Sequence, residues 1–258
     1  MPINLTAIIL AKNEEKNIVP CIKSILFAGE VLVIDDFSTD RTKELAESLG
    51  ARVVQHALAG DWGQQQTFAL QQAKYDWVYF IDADERMTPE LQKKIEEAIA
   101  SGKKIAYRNA RLNYFWGQPL LHGGWFHDFA IHLVPKEGTY VTGFVHPQIV
   151  HSYPEVRWPR SAHMIHYPYK NWEHHLNKMN LYTTLAAKKY KAAGRTPHFR
   201  DIILHPMMAF IKMYLLQAGW RDGKIGFIMA AFHYFYTMEK YVKFYYLDKK
   251  NSKLEDQA

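Results

Sequence analysis

Cysteine is nearly missing from this chain. Cys21 is the only one in 258 residues, so no intrachain disulfide can form, and zinc sites built on two or four thiolates are excluded. A lone thiol fits a reducing compartment. No stretch of 18 uncharged apolar residues occurs, which argues against a bilayer-spanning helix. The opening MPINLTAIILAKNEE has no basic leader and only a short apolar run, so no secretory signal is expected. Neither G-x-G-x-x-G nor G-x-x-x-x-G-K-[ST] is present, which disfavours a dinucleotide site and a P-loop. Internal repeats and low-complexity segments are missing too. What is there is a globular balance, 48% hydrophobic and 22% charged. The length suits one large domain, or one domain with an appendage.

Charge is divided unevenly. Residues 1–150 hold 15 Lys and Arg against 18 Asp and Glu, a balance of −3, whereas residues 151–258 hold 17 against 8, a balance of +9. The basic half is also rich in Phe, Tyr and Trp. Such a split predicts a catalytic front and a back that meets an anionic surface, nucleic acid or membrane, unless the cations only form a solvated face.

The first hundred residues alternate between two periodicities. LTAIIL (5–10), EVLVI (30–34), RVVQ (52–55) and DWVYFI (76–81) are short, β-branched or aromatic runs that read as strands. Between them, Ile18, Ile22, Ile25 and Leu26 recur at helical spacing, and Asp40 stands where it can cap a helix carrying Leu45, Ala46 and Leu49 and ending at Gly50. Residues 62–73 look helical with weak periodicity. Thr88-Pro89 is a cap followed by a first-turn proline, with Leu91, Ile95, Ala98 and Ile99 on one face. This alternation predicts an α/β fold, a mainly parallel sheet with helices on both faces. The boundaries expected are 1–165 for a catalytic domain and 166–258 for a helical, aromatic and basic extension.

Ligands of such sheets bind at the carboxyl ends of the strands. Lys12, Asn13 and Glu14 follow the first strand, Asp35 and Asp36 the second, and Asp82, Ala83 and Asp84 the fourth. Five carboxylates on one edge repel each other unless a cation or hydrogen-bonding ligand sits among them. Asp82 and Asp84, at i and i+2, point the same way in extended chain and can share one hard divalent ion. The alternative is a capping cluster ahead of Thr88.

The runs AIILAKNEEKNI, VLVIDDFSTDRT and DWVYFIDADERMTPEL together resemble the N-terminal half of family-2 inverting glycosyltransferases. RNARLNYFWGQPLLHGGWFHDFAIHLV, HYPYKNWEHHLNKMNLYT and the Phe- and Tyr-rich tail extend the resemblance to the branch that includes lipopolysaccharide-core β-glucosyltransferases, over roughly residues 4–247. The resemblance implies a glycosyltransferase A-type fold, a nucleotide-diphosphate sugar donor with UDP favoured, Mg²⁺ or Mn²⁺ on the D-x-D, and a glycan or lipid-linked acceptor. It leaves no part for nucleic acid, and it implies work in the cytoplasm or at the inner face of the cytoplasmic membrane. Ala11, Asn13 and Glu14 would line the nucleoside pocket, with Asp35 or Asp36 on the base or ribose. Asp82 would face the ribose or donor sugar and Asp84 the metal, with Asp82 as a further ligand. The turn Gly123-Gly124-Trp125 would shape the acceptor side, or be an ordinary loop turn.

Two departures stand out. Similar proteins often carry Arg-Asn at Gln66-Thr67, and glutamine cannot supply that charge to a donor. Similar proteins often carry Glu after the residue matching His146, where this chain has Pro147. Asp128 becomes the first candidate for the base and His146 the second. The remaining alternatives are a nucleotidyltransferase acting on sugar phosphates, which would release pyrophosphate, and an inactive membrane- or glycan-binding scaffold. His122, His127 and His132 recur every five residues, a period that suits neither one helix face nor one strand face, so structural roles are expected over a histidine metal site. In the tail, residues 206–250 alternate apolar and aromatic runs with Lys212, Arg221, Lys224, Lys240 and Lys243. That pattern fits helices in a membrane interface, or a hairpin packed on its own domain or on a second copy of the chain.

Overall fold

The structure is a computed structural model that describes residues 3–143 and 147–248. Strands β1 (Ile3–Ala11), β2 (Ala28–Asp35), β3 (Arg52–Gln55) and β4 (Trp77–Asp82) alternate with helices α1 (Ile18–Ser24), α2 (Thr42–Ser48) and α3 (Trp62–Gln72). They are followed by β5 (Glu85–Met87), α4 (Pro89–Ala100), β6 (Ala106–Phe115), β7 (Gln118–Pro119) and β8 (Phe129–Pro135). The short strands β9 (Tyr140–Thr142), β10 (Gln148–Val150), β11 (Glu155–Arg157) and β12 (His163–His166) come next. The chain then turns helical in α5 (Trp172–Ala192), α6 (Phe199–Ile211) and α7 (Gly223–Asp248).

Two compact units result. Residues 3–112 and 127–166 form the sheet unit, and residues 113–126 with 167–248 form the helical unit. The excursion 113–126 thus packs with the helices, which a linear boundary at 165 does not express.

In the sheet unit the strand order is β3-β2-β1-β4-β8-β6-β12-β5. The first four strands pair in parallel. β8 then enters antiparallel to both β4 and β6, so the sheet is parallel in its first part and mixed beyond. Alternation along β1 divides the core. Leu5, Ala7, Ile9 and Ala11 pack on one face with Ile18, Ile22, Ala46, Leu91 and Ile95 of α1, α2 and α4. Ile8 packs on the other with Ala69 and Leu70 of α3. Helices therefore cover both faces, as the alternation of strands and helices predicts.

Local signals hold with small shifts. Thr88 accepts the Leu91 N–H and Pro89 occupies the first turn of α4. Asp40 accepts the Thr42 N–H, yet the cap position of α2 is Arg41, one residue later. Leu26 is exposed, because α1 stops at Ser24 and its apolar stripe ends with Ile25.

In the helical unit, α5 and α6 each contact α7. Pro206 lies inside α6, which runs into a π-helical turn, Lys212–Leu216. That turn is followed by a 3₁₀ turn, Gly219–Asp222. A Cβ on Gly226 would collide with the Gly219 carbonyl, so only glycine lets the chain close this turn onto α7.

Candidate active site

Strand register brings the first set of expected residues to one edge. Ala11 pairs with Asp35, and Leu10 with Asp82, so β1, β2 and β4 end in line. Asn13 sits in the left-handed region (φ 54°), where short polar residues are tolerated best. Its amide oxygen accepts the Thr39 N–H at 2.8 Å, and its own N–H donates to Ser38 Oγ at 2.9 Å. Glu14 donates its N–H to Thr42 Oγ1 at 2.7 Å and accepts from Asn17 Nδ2 at 2.8 Å. Asp35 is fully buried and accepts from the Ser38 N–H and Gln55 Nε2, each at 3.1 Å. Asp36 pairs with Lys12 at 2.7 Å and accepts the Leu58 N–H at 3.1 Å. Burial opposes the Asp36 charge, but the Lys12 ammonium and that N–H hold its carboxyl below the usual range. These side chains lock the β1 and β2 loops to each other and give the edge its shape. Gln66 is half-buried on α3, whose N-terminus Asp61 caps.

The D-x-D departs from extended geometry. Asp82 ends β4 and is exposed, whereas Ala83 and Asp84 form the turn into β5, with Asp84 half-buried. The turn brings Asp84 Oδ1 to 3.7 Å from Nε2 of His166, the last residue of β12. Burial works against charge on His166, but the carboxylates of Asp84 and Glu85 raise its pKa above the ordinary value.

Behind this pair lies a charge network. Glu85 is 0% exposed and accepts the Asp82 N–H on Oε2 at 2.9 Å. Its Oε1 is 3.5 Å from Arg111 Nη1 and has no hydrogen-bond partner among the described residues. Burial, then the Asp82 carboxylate, push the Glu85 carboxyl up to about 8 despite Arg111. Arg111 turns its Nε to Asp128 Oδ2 at 2.8 Å, and its N–H donates to the Asp128 carbonyl at 3.0 Å. Burial opposes the guanidinium charge, but Glu85 and Asp128 secure it. Asp128 itself is 43% exposed, so a fixed carboxylate reaches solvent here. His132, buried on β8, bonds the Phe80 carbonyl through Nδ1 at 2.9 Å. Burial, then the Arg111 charge, push it down to about 3, so it is neutral. His146 lies outside the described residues.

The glycine turn belongs to the helical unit. Gly123 and Gly124 have φ of 66° and 86°, and a Cβ on Gly124 would come within 2.9 Å of Gln217 Oε1. The left-handed backbone at both positions favours glycine, whereas the Gln217 side-chain end near Gly124 is free to move aside. Trp125 follows, its carbonyl accepting from Asn113 Nδ2 at 3.0 Å. His122 bonds Asp222 through Nδ1 at 2.6 Å and through its N–H at 2.8 Å. His122 and His132 thus have structural partners.

The residues at the D-x-D fit a divalent ion. Among the described residues no three of His, Cys, Asp and Glu form a complete cage. Asp84 and His166 nevertheless converge at a spacing one small cation can bridge, given metal–ligand bonds of about 2.0–2.3 Å. Two protein ligands would leave positions for a ligand's phosphate oxygens and water, and the imidazole suits Mn²⁺ better than Mg²⁺. The sequence singles out none of Glu85, Arg111 and His166 by itself, and it marks His132 only for a structural role. Glu85 is adjacent to the D-x-D, and His166 opens the HYPYK run already singled out. Nothing local marks Arg111, because its partners come from β5 and the segment before β8.

A Glycosyl transferase family 2 profile matches residues 6–200. The chain belongs to that family and is a glycosyltransferase with a glycosyltransferase A-type sheet. It is 31% identical over 236 residues to the lipopolysaccharide core biosynthesis glycosyltransferase LpsC of Rhizobium meliloti, covering 88% of this chain and 86% of that one. An uncharacterized glycosyltransferase of Rickettsia typhi is 28% identical over 260 residues, 92% of this chain and 86% of its own. Among solved structures, glucosyl-3-phosphoglycerate synthase from Mycobacterium tuberculosis, in complex with Mn²⁺, UDP and glucosyl-3-phosphoglycerate, is 25% identical with a TM-score of 0.34. This chain spans 44% of that solved chain, over 44% of its own length.

Proposed function

We propose that this glycosyltransferase moves one sugar, with inversion, from a UDP-sugar to a hydroxyl of a glycan or lipid-linked acceptor in lipopolysaccharide-core or related envelope assembly. The observation that carries the reading is the meeting of Asp84 with His166, next to the strand-end Asp82, in a family 2 chain. LpsC, similar over most of its length, supports the acceptor class. The loops of Ala11, Asn13, Glu14, Asp35 and Asp36 receive the nucleoside, with Gln66 beside them and Asp82 toward the ribose or sugar. Asp84 and His166, with Asp82 as a further candidate ligand, would hold Mg²⁺ or Mn²⁺. Such an ion, when bound, neutralises charge on the leaving diphosphate. Asp128 takes the proton of the acceptor hydroxyl as its oxygen bonds the anomeric carbon and the bond to the diphosphate breaks on the opposite face. Arg111 orients Asp128 for this step; His146 is the second candidate. The Gly123-Gly124-Trp125 turn serves the acceptor. A panel of nucleotide sugars with a nucleoside-diphosphate release readout, with and without EDTA, tests the reading. Release only with a divalent ion supports it, and release of pyrophosphate contradicts it.

The same reading includes contact with the cytoplasmic membrane's inner face. Phe199, Ile203, Leu204, Met207 and Met208 form an exposed stripe on α6, continued by Leu215, Leu216 (74% exposed) and Trp220 and by Phe227, Ile228 and Phe235 on α7. No single described helix is long and apolar enough to cross a membrane, and the segments Phe199–Leu216 and Gly219–Leu247 are bent by 69°. An interfacial position suits such a bent apolar face. Lys212, Arg221 and Lys224 are exposed along it, worth about 3 kcal/mol together on anionic lipid. The cations expected there are fewer than the sequence suggests. Lys243 bonds Asn180, Thr183 and Thr184 of α5, and Lys240 lies over the rings of Tyr190, Tyr236 and Tyr241. Lys249 and Lys250 lie outside the described residues. Flotation with anionic and neutral vesicles tests the contact. Binding that weakens with salt supports it, whereas no flotation together with a dimer in solution assigns the face to a second copy.

A further inference from the structure

Inside the helical unit, α5, α7 and Trp125 enclose a cavity of about 320 Å³, at the small end of ligand pockets (about 300–1,000 Å³). Tyr169, Tyr182, Phe232 and Tyr236 supply aromatic walls. Two polar atoms of the lining are buried and have no hydrogen-bond partner among the described residues: Trp125 Nε1 and His175 Nδ1. The indole N–H can only donate. Burial, then the charges of His174 and Lys178, keep the His175 imidazole below its ordinary pKa. It is therefore neutral, packed against Tyr169 (centroids 4.2 Å apart) and Phe232 (5.0 Å). An unsatisfied buried donor or acceptor carries a desolvation cost that a suitable ligand removes.

We infer that this cavity is a binding site for one neutral pyranose ring, the sugar of the acceptor. The inference rests on the glycosyltransferase reading for the word acceptor, though not for the cavity itself. A pyranose offers apolar C–H faces to the aromatic walls and hydroxyls, both donor and acceptor, to the indole and imidazole nitrogens. An acyl chain would fill the same volume but leave both nitrogens unpaired. A phosphate would meet mostly apolar walls, with Lys178 engaged by the Pro168 carbonyl. The outer face of the same helix, α7, carries the exposed Phe227, Ile228 and Phe235. One helix thus offers a sugar site inward and an apolar face outward, a combination that fits a lipid-linked glycan.

Saturation-transfer NMR on the full chain tests this, with methyl β-glucoside, β-galactoside and mannoside, octanoate, and UDP as probes. Expected are enhancements on the ring protons of at least one glycoside. Trp125→Phe, which keeps an aromatic wall of smaller area and removes the donor, should weaken binding by about 3- to 10-fold. Tyr182→Ala, at an exposed position of the lining, should weaken it further, and both variants should bind UDP as the parent does. Enhancement of octanoate with none of the glycosides overturns the inference in favour of an acyl pocket. Absent glycoside signals, or signals that both variants leave unchanged, also overturn it. A failure of UDP binding with glycoside binding intact would count against the transferase reading and leave the sugar site standing.

Discussion

The two units solve the problem of charge and apolar surface in opposite ways. The sheet unit buries its apolar side chains and matches its charges internally. Lys12 meets Asp36, Arg52 meets Glu30, and Arg111 lies between Glu85 and Asp128. Its edge carries a small set of carboxylates at strand ends, Asp84 beside His166 among them. The helical unit leaves large apolar side chains outside, Phe199 at 63% exposure among them. It spends part of its positive charge on its own hydroxyls and rings, as Lys243 and Lys240 show. A folded unit with satisfied charges needs a ligand only at its edge. Large exposed apolar patches mark interaction sites.

The sharpest way to break this contrast is at the edge. Asp84→Asn should lower turnover about 10³-fold or more, since loss of an ion's electrostatic help costs several kcal/mol. The thermal midpoint should barely move, because no core volume is lost. Asp128→Asn should follow at about 10²-fold or more in kcat, with donor affinity unchanged; a normal rate would pass the base to His146. Third comes the apolar face. Leu216→Glu or Met208→Glu should reduce vesicle binding by about 10-fold or more, the worth of one buried large side chain. Release of nucleoside diphosphate with a soluble acceptor should be unaffected.

Two smaller effects sharpen the account of the sheet unit's stability. His132 has its pKa lowered from 6.5 to about 3 in the folded state. Below pH 6.5 the unfolded chain binds a proton that the folded chain refuses. Its contribution is therefore complete above pH 6.5 and declines as pH falls toward 3, by about 1.4 kcal/mol per unit. Denaturant titrations from pH 7 to 4 should show that slope, and His132→Gln should flatten it. Thr88→Ala should cost about 1 kcal/mol, the value of a helix cap, visible as a lower urea midpoint.

Much of the sheet unit was legible because its signals are local. β-branched runs, Thr88-Pro89 and the period of α4 are all contained within a dozen residues. Strand ends then followed, and with them Asp35, Asp82 and Asp84. Beyond residue 100 the pairing is long-range and antiparallel. β8 inserts between β4 and β6, and β12 reaches back to β5, so the meeting of His166 with Asp84 has no local trace. The tail's composition announced an apolar, aromatic unit. It could not show that Lys240 and Lys243 turn to α5, because the partners Asn180, Thr183 and Tyr190 are some fifty residues or more away. Residues 113–126 read as a resemblance motif, whereas in three dimensions they complete the helical unit.

The central claim is a division of labour: donor and ion at the sheet edge, acceptor sugar and lipid at the helical unit. Calorimetric titration of UDP with Mn²⁺ into the parent chain, Asp84→Asn and Leu216→Glu tests it most directly. The account predicts Mn²⁺-dependent UDP binding in the parent and in Leu216→Glu, and its loss in Asp84→Asn. Mn²⁺-dependent binding retained in Asp84→Asn, or lost in Leu216→Glu, would contradict it.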